Sequence, residues 1–209
     1  SPKEKNENIE KTLYLTRRRI ENKIKSLNIN NFYICSLSSE VIIYKGMFLA
    51  EQLSSFYPDL LDPDFKSKFA VYHQRYSTNT FPTWSLAQPF RVLAHNGEIN
   101  TLKGNLNWMK AHETRITHDF FADRVEDLKP ILDSDASDSA SLDAAFEILL
   151  QTDRSLPMTK SMIIPESWSN NNDMPDELKK MYAYCNAVIE PWDGPAAVCA
   201  NFGDWIISG

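Results

Sequence analysis

Apolar residues recur at helical intervals near the start of the chain. Ile9, Leu13, Ile20, Ile24 and Leu27 predict a helix from Ile9 to about Leu27. The polar, Pro-containing SPKEKNEN before it reads as a flexible end over residues 1–8. The period then changes. NFYICSL and VIIYKG are β-rich runs on either side of Ser38-Ser39-Glu40, which predicts a hairpin. Leu49 to Phe56 reads as a short helix stopped before Pro58, and PDLLDPDF as loop. Phe69 to His73 and RVLAH, ending at His95, read as strands joined by the irregular NTFPTWSLAQPF. Asn100 to Glu113 is helical in pattern, although Gly104 within it costs about 1 kcal/mol relative to alanine. From Ser139 to Gln151 the residues Leu142, Ala145, Phe146, Leu149 and Leu150 form an apolar stripe that faces a core. MTKSMIIPESW reads as helix and then loop, and Asp176 to Val188 as helix. AAVCA and WIIS make a final hairpin across Asn201-Phe202-Gly203-Asp204. With strands paired at both ends and helices grouped between them, the pattern predicts an α+β sandwich rather than a doubly wound parallel sheet.

Composition narrows the class. A chain of 209 residues, 43% hydrophobic and 24% charged, suits one soluble globular domain. A net charge of −6 argues against a nucleic-acid surface. The one basic cluster, Arg17-Arg18-Arg19, reads as a solvated helix face. Cys35, Cys185 and Cys199 are widely spaced and odd in number, which disfavours a disulfide framework or a zinc site and fits a reducing compartment. No apolar run has membrane-spanning length and no signal-peptide pattern opens the chain. The expected setting is cytoplasm or an organelle stroma, with neither a membrane nor a nucleic acid as partner.

Four segments carry candidate chemistry. HQRYSTNT ends a strand with Arg75, whose planar guanidinium suits bidentate capture of a carboxylate, with nearby hydroxyls adding a bond; a structural ion pair is the competing reading. In HNGEIN, Asn96 offers a side-chain amide and Gly97 a backbone N–H with no side chain in the way. Two such donors would suit a developing oxyanion, whereas the plainer alternative is a β-to-α turn in which glycine supplies positive φ. In SDASDSAS, Asp138 at a helix entrance is placed to hold a ligand ammonium, or Ser137 or Asp138 simply caps the helix. A calcium loop fails, because counting from Asp133 its sixth and twelfth positions hold Asp138 and Ala144. In EPWDGPAAV, Trp192 reads as a packing anchor.

Together these segments resemble the class II glutamine amidotransferase domain of the glutamate synthases. The strings that carry the resemblance are YSTNTFP, HNGEINTLKGN and EPWDGPAA, with FYICSLSS, VIIYKGM, SDASDSASLDAAFEILL and RSLP in family order across nearly the whole chain after Ile9. The resemblance implies a four-layer αββα fold of the N-terminal-nucleophile type, incomplete here at both ends, over residues 9–209. It also implies hydrolysis of L-glutamine to glutamate and ammonia. By motif position, Arg75 and Thr78 would hold the substrate carboxylate, Asn96 and Gly97 would form the oxyanion hole, and Asp138 would bind the α-ammonium. No cofactor is expected in this segment. FMN and an iron–sulfur cluster are expected in a synthase domain elsewhere in the polypeptide, where 2-oxoglutarate is aminated with electrons from ferredoxin or a nicotinamide-dependent subunit. The nucleophile of the family is an N-terminal cysteine, and no cysteine stands at the start here. SPKEKNEN does not read as the core strand that a catalytic Ser1 would need. The expectation is a chain inactive by itself, with a non-catalytic glutamine-binding or partner-docking module as the alternative.

Overall fold

The computed structural model describes residues 2–74 and 81–209. Helix α4 (Asp138–Gln151) lies at its centre, and the apolar stripe read from its sequence is buried along its whole length. Ser137 caps it, its Oγ accepting from the Ala140 N–H at 3.1 Å. The polar residues Ser141, Asp143, Glu147 and Gln151 are buried as well, so the helix is enclosed on more sides than its stripe alone required. Burying a side chain such as Leu142 or Phe146 stabilises the fold by roughly 1.5–3 kcal/mol.

Against α4 lies a three-stranded antiparallel sheet of β1 (Leu93–Gly97), β2 (Ala196–Phe202) and β3 (Trp205–Ser208), in the order β1-β2-β3. Leu93 pairs with Ala200, His95 with Val198 and Gly97 with Ala196. Cross-strand partners share a face. Leu93, His95, Val198 and Ala200 therefore point to the helix side, and Ala94, Asn96, Ala197 and Cys199 to the other. The β2–β3 hairpin turns at Gly203-Asp204, as the sequence predicts.

The remaining helices are α1 (Pro2–Ser26), the single turn α2 (Leu53–Phe56), α3 (Leu102–Glu113), α5 (Leu156–Ile163) and α6 (Asp176–Val188). α5 packs on β2 and β3, while α6 packs on α5 and brings Cys185 into the core. Trp192 is buried, and its backbone N–H bonds the Ile163 carbonyl at 2.7 Å, which makes it the expected packing anchor. The architecture is thus α+β, with helices around a small antiparallel sheet.

Three expectations are corrected. Helix α1 begins at Pro2, and its buried face is Tyr14, Leu15 and Arg17, whereas Ile9, Ile20 and Leu27 are exposed. Arg17 is therefore not on a solvated face. Its guanidinium is 2% exposed and bonds Glu147 of α4 at 2.5 Å and Glu21 at 2.8 Å. Burial alone would depress its pKa, but the two carboxylates outweigh that and keep the guanidinium firmly charged. Arg18 turns to the Leu128 and Pro130 carbonyls, so only Arg19 of the three is largely exposed.

The second correction concerns the runs 31–37 and 41–46, which turn back at Ser38 but form no ladder. Side chains stand in for it, with Ser36 Oγ accepting from the Ile43 N–H at 3.2 Å and Ser38 Oγ from Val41 N–H at 3.1 Å. Third, Phe69–His73 is not a strand. The edge of β1 that a neighbour would need is met at His95 by the Gln88 side chain instead. Among the described residues, none between Leu15 and Val92 joins the hydrophobic core.

Candidate functional site

The ladder between β1 and β2 fixes where the end of β1 aims its donors. Asn201 N–H bonds the Val92 carbonyl at 3.0 Å and Glu98 N–H bonds the Pro195 carbonyl at 2.9 Å. Ladder bonds alternate in an antiparallel pair, so the N–H groups of Leu93, His95 and Gly97 face away from β2, along the outer edge of β1. Leu93 N–H is taken there by Asp143 Oδ1 at 3.0 Å. The His95 N–H bonds Gln88 Oε1 at 2.6 Å, and its carbonyl accepts from Gln88 Nε2 at 2.7 Å. The Gly97 N–H is the next donor on that edge and is not used by β2. Asn96 is exposed, on the sheet face turned away from α4.

The expected turn at Asn96-Gly97 is displaced: both residues end β1, paired with Ala197 and Ala196, and the chain turns only at Asn100-Thr101. Gly97 has φ +153°, and a Cβ on it would lie 1.8 Å from the Pro195 carbonyl oxygen. Gly194 mirrors it at φ +154°, where a Cβ would lie 1.9 Å from the Glu98 carbonyl oxygen. The two backbones cross in contact. Beyond the crossing, the Asp193 carbonyl accepts from Asn100 N–H at 2.8 Å, and Asp193 N–H bonds Thr101 Oγ1 at 2.9 Å. Asn105 Nδ2 reaches the Pro191 carbonyl at 3.0 Å, so EPWDGP is a clamp on the far side of HNGEIN.

Asp138 at the start of α4 meets the segment that follows β1 directly. Its Oδ2 accepts from Ile99 N–H at 3.0 Å, and its Oδ1 from the N–H of Ser139 at 2.7 Å. His95, 2% exposed, places Nδ1 at 2.8 Å from Ser139 Oγ. Burial lowers the His95 pKa, Asp138 pulling it up and His73 adding to the depression, so the imidazole is neutral. Its Nε2 is buried without a hydrogen bond among the described residues.

Of the residues singled out from sequence, the fold therefore brings Asn96, Gly97 and Asp138 to one place, joined through Ile99. Arg75 and Thr78 lie outside the described residues. Sequence reasoning passed over His95, Ser139, Gln88 and Asp143. The first two stand inside quoted motifs, HNG and SDS, and alternation along β1 puts His95 on the helix side. Asp143 is reached only in three dimensions: Oδ1 accepts from Val92 N–H at 2.8 Å and Leu93 N–H, and Oδ2 from Arg91 N–H at 3.2 Å. Burial, with Glu147 adding, pushes its carboxyl up to about 6, against Arg91 and the amides of Val92 and Leu93.

Comparison with known proteins decides what these motifs belong to. A family model described as glutamine amidotransferases class-II matches residues 1–208. The chain belongs to that family. The NADPH glutamate synthase large chain of Azospirillum brasilense is 59% identical over 97% of this amidotransferase domain, which spans 13% of that protein. The corresponding large chain of Bacillus subtilis is 45% identical over 96% of the domain, again across 13% of its own length. The NADH glutamate synthase of Saccharomyces cerevisiae is 44% identical over 96% of the domain and is matched over 9% of its length. The amidotransferase chain thus spans about an eighth of the bacterial relatives it matches.

Proposed function

We propose that this domain supplies the glutamine-binding and oxyanion half of a glutaminase within a longer glutamate synthase, releasing ammonia for reductive amination of 2-oxoglutarate. The observation that carries this is the bond from Ile99 N–H to Asp138, which fixes a carboxylate beside the end of β1, where Asn96 and Gly97 are exposed. A bound L-glutamine would set its α-ammonium on Asp138 and its carboxamide oxygen against the Asn96 side chain and the Gly97 N–H. Arg75, with Thr78, would take the α-carboxylate. When a thiolate adds to the carboxamide carbon, negative charge gathers on that oxygen, where two prepositioned donors lower the barrier. Proton transfer to nitrogen then expels ammonia, and water hydrolyses the thioester to glutamate. The full architecture in this reading is the four-layer αββα sandwich of N-terminal-nucleophile hydrolases.

The thiolate comes from another part of the polypeptide. Burial pushes the Cys35 and Cys185 thiols up, away from the activated state. Among the described residues no three His, Cys, Asp or Glu side chains gather into a metal site. FMN, the cluster and the contact with ferredoxin or a nicotinamide-dependent subunit belong to the remainder of the enzyme. Among the described residues no helix is long and apolar enough to cross a membrane.

In the complete polypeptide Asn96→Ala should lower the glutaminase rate at least ~100-fold. An unaffected rate would remove the oxyanion assignment. The state of the two thiols also favours a second reading, a glutamine-binding module without catalysis. It predicts calorimetric binding of L-glutamine, lost in Arg75→Ala, with no ammonia release from any form that includes the remaining polypeptide.

A further inference from the structure

The segment Asn96-Gly97-Glu98 at the end of β1 is tied on both sides to two adjacent residues of one helix. On its near side His95 Nδ1 is 2.8 Å from Ser139 Oγ, and on its far side Ile99 N–H bonds Asp138 Oδ2 at 3.0 Å. Asp138 and Ser139 are themselves joined, through the Ser139 N–H at 2.7 Å and Oγ at 3.4 Å. The result is a closed ring of hydrogen bonds: His95, Ser139, Asp138, Ile99 and back along the chain to His95. Both sides of the ring touch the carboxylate, Ile99 at Oδ2 and Ser139 at Oδ1, and His95 reaches it through Ser139. Without the bond to His95 the Ser139 hydroxyl would be free to rotate, and the Asp138 carboxylate would lose part of what fixes its orientation relative to the Gly97 N–H.

We propose that His95 and Ser139 are positioning residues that set the separation between the oxyanion donors and the ammonium-binding carboxylate. The inference rests on the glutamine reading above and deepens it. Neither residue reaches substrate. His95 points to the helix side of the sheet while Asn96 points to the other, and Ser139 is buried. Their bond transmits to Asp138. A neutral imidazole suits the task, since in that enclosed place it exchanges one hydrogen bond with a hydroxyl and introduces no second charge beside Asp138.

The test compares two substrates in the complete polypeptide that carries this domain: L-glutamine and 4-carbamoylbutanoate, which lacks the α-amino group. Ser139→Ala and His95→Phe should each raise KM for L-glutamine about ten-fold, the effect of one lost hydrogen bond to a buried partner, with a smaller change in kcat. The preference for L-glutamine over 4-carbamoylbutanoate should fall by a similar factor, because only the amino-bearing substrate needs Asp138. The double variant should be no worse than either single one, and His95→Asn, which retains a polar atom near the Nδ1 position, should recover most of the preference. A variant merely loosened in fold would weaken both substrates alike. If Asp138→Asn collapses the preference while Ser139→Ala and His95→Phe leave it intact, the positioning role is overturned and the Asp138 assignment stands. If Asp138→Asn also leaves it intact, the glutamine reading fails and the positioning role with it.

Discussion

The crossing of Gly97 and Gly194 is the point at which a single methyl group should cost most. In Gly97→Ala the new Cβ would lie 1.8 Å from the Pro195 carbonyl oxygen and 2.8 Å from its carbon. No rotamer relieves this, because both the methyl and its obstacle are backbone-fixed. The φ of +153° is itself disfavoured for any residue with a side chain, a strain of about 1–3 kcal/mol. To restore ordinary contact the two segments must separate by more than an ångström, breaking the 2.9 Å bond from Glu98 N–H to the Pro195 carbonyl. That adds about 1–3 kcal/mol for groups left unpaired. The sum is roughly 2–6 kcal/mol, a large part of a typical domain's stability. Urea unfolding followed by circular dichroism measures it. Gly104→Ala on α3, where nothing lies within 4 Å, is the control and should stabilise by about 1 kcal/mol through helix propensity. Gly97→Ala and Gly194→Ala act on one crossing, so the double variant should cost clearly less than the two added together. A cost below about 1 kcal/mol for Gly97→Ala, or strict additivity, would refute the close backbone contact.

Other consequences are equally direct. Asp143→Ala removes the acceptor for three amide N–H groups at the start of β1 and should lower stability by about 3 kcal/mol or more; a near-neutral result in urea unfolding would show that water replaces the carboxylate. Arg17→Leu strands Glu147 and should cost about 3–5 kcal/mol, whereas a joint Arg17→Leu, Glu147→Leu change should restore much of it; a double variant no better than the single would contradict the buried pair. Lys45 bonds the Ser85 carbonyl at 2.8 Å between the Tyr33 and Phe90 rings, and burial lowers its pKa from 10.5 to about 8. Between those values the unfolded chain binds more protons, so the stability contributed at this position rises with pH through that window. Relative to Lys45→Met, the protein should gain about 1–3 kcal/mol as pH climbs from ~8 to ~10 in a series of urea titrations; a flat difference would place the ammonium in water.

Some of this was legible along the chain. Residues Asp176 to Val188 read as a helix and form one, because their apolar period, an acidic first turn and a proline just before the first turn all agree. α4 was readable for the same reason, with Ser137 as a local cap. Asn96, Gly97 and Asp138 could be named from motifs. α1 shows the limit. Its periodic isoleucines mark a helix but not the buried face, because the choice was made by Glu147 on another helix, which drew Arg17 inward. The expected strands at 31–37, 41–46 and 69–73 fail for a related reason: a strand exists only through its neighbour, and β-rich composition does not supply one.

The sequence by itself determined which family the chain belongs to, where its longer helices lie and which residues are candidates for the chemistry, since those depend on local period and on short strings of residues. Only the tertiary structure decided how the chemistry is assembled. Asn96 and Asp138 are far apart along the chain and come together because β1 pairs with β2 and because Ile99 bonds the first residue of α4. The roles of His95 and Ser139, and the need for glycine at both 97 and 194, follow from that meeting. They are properties of distance between segments, and distance between segments is what a linear pattern does not contain.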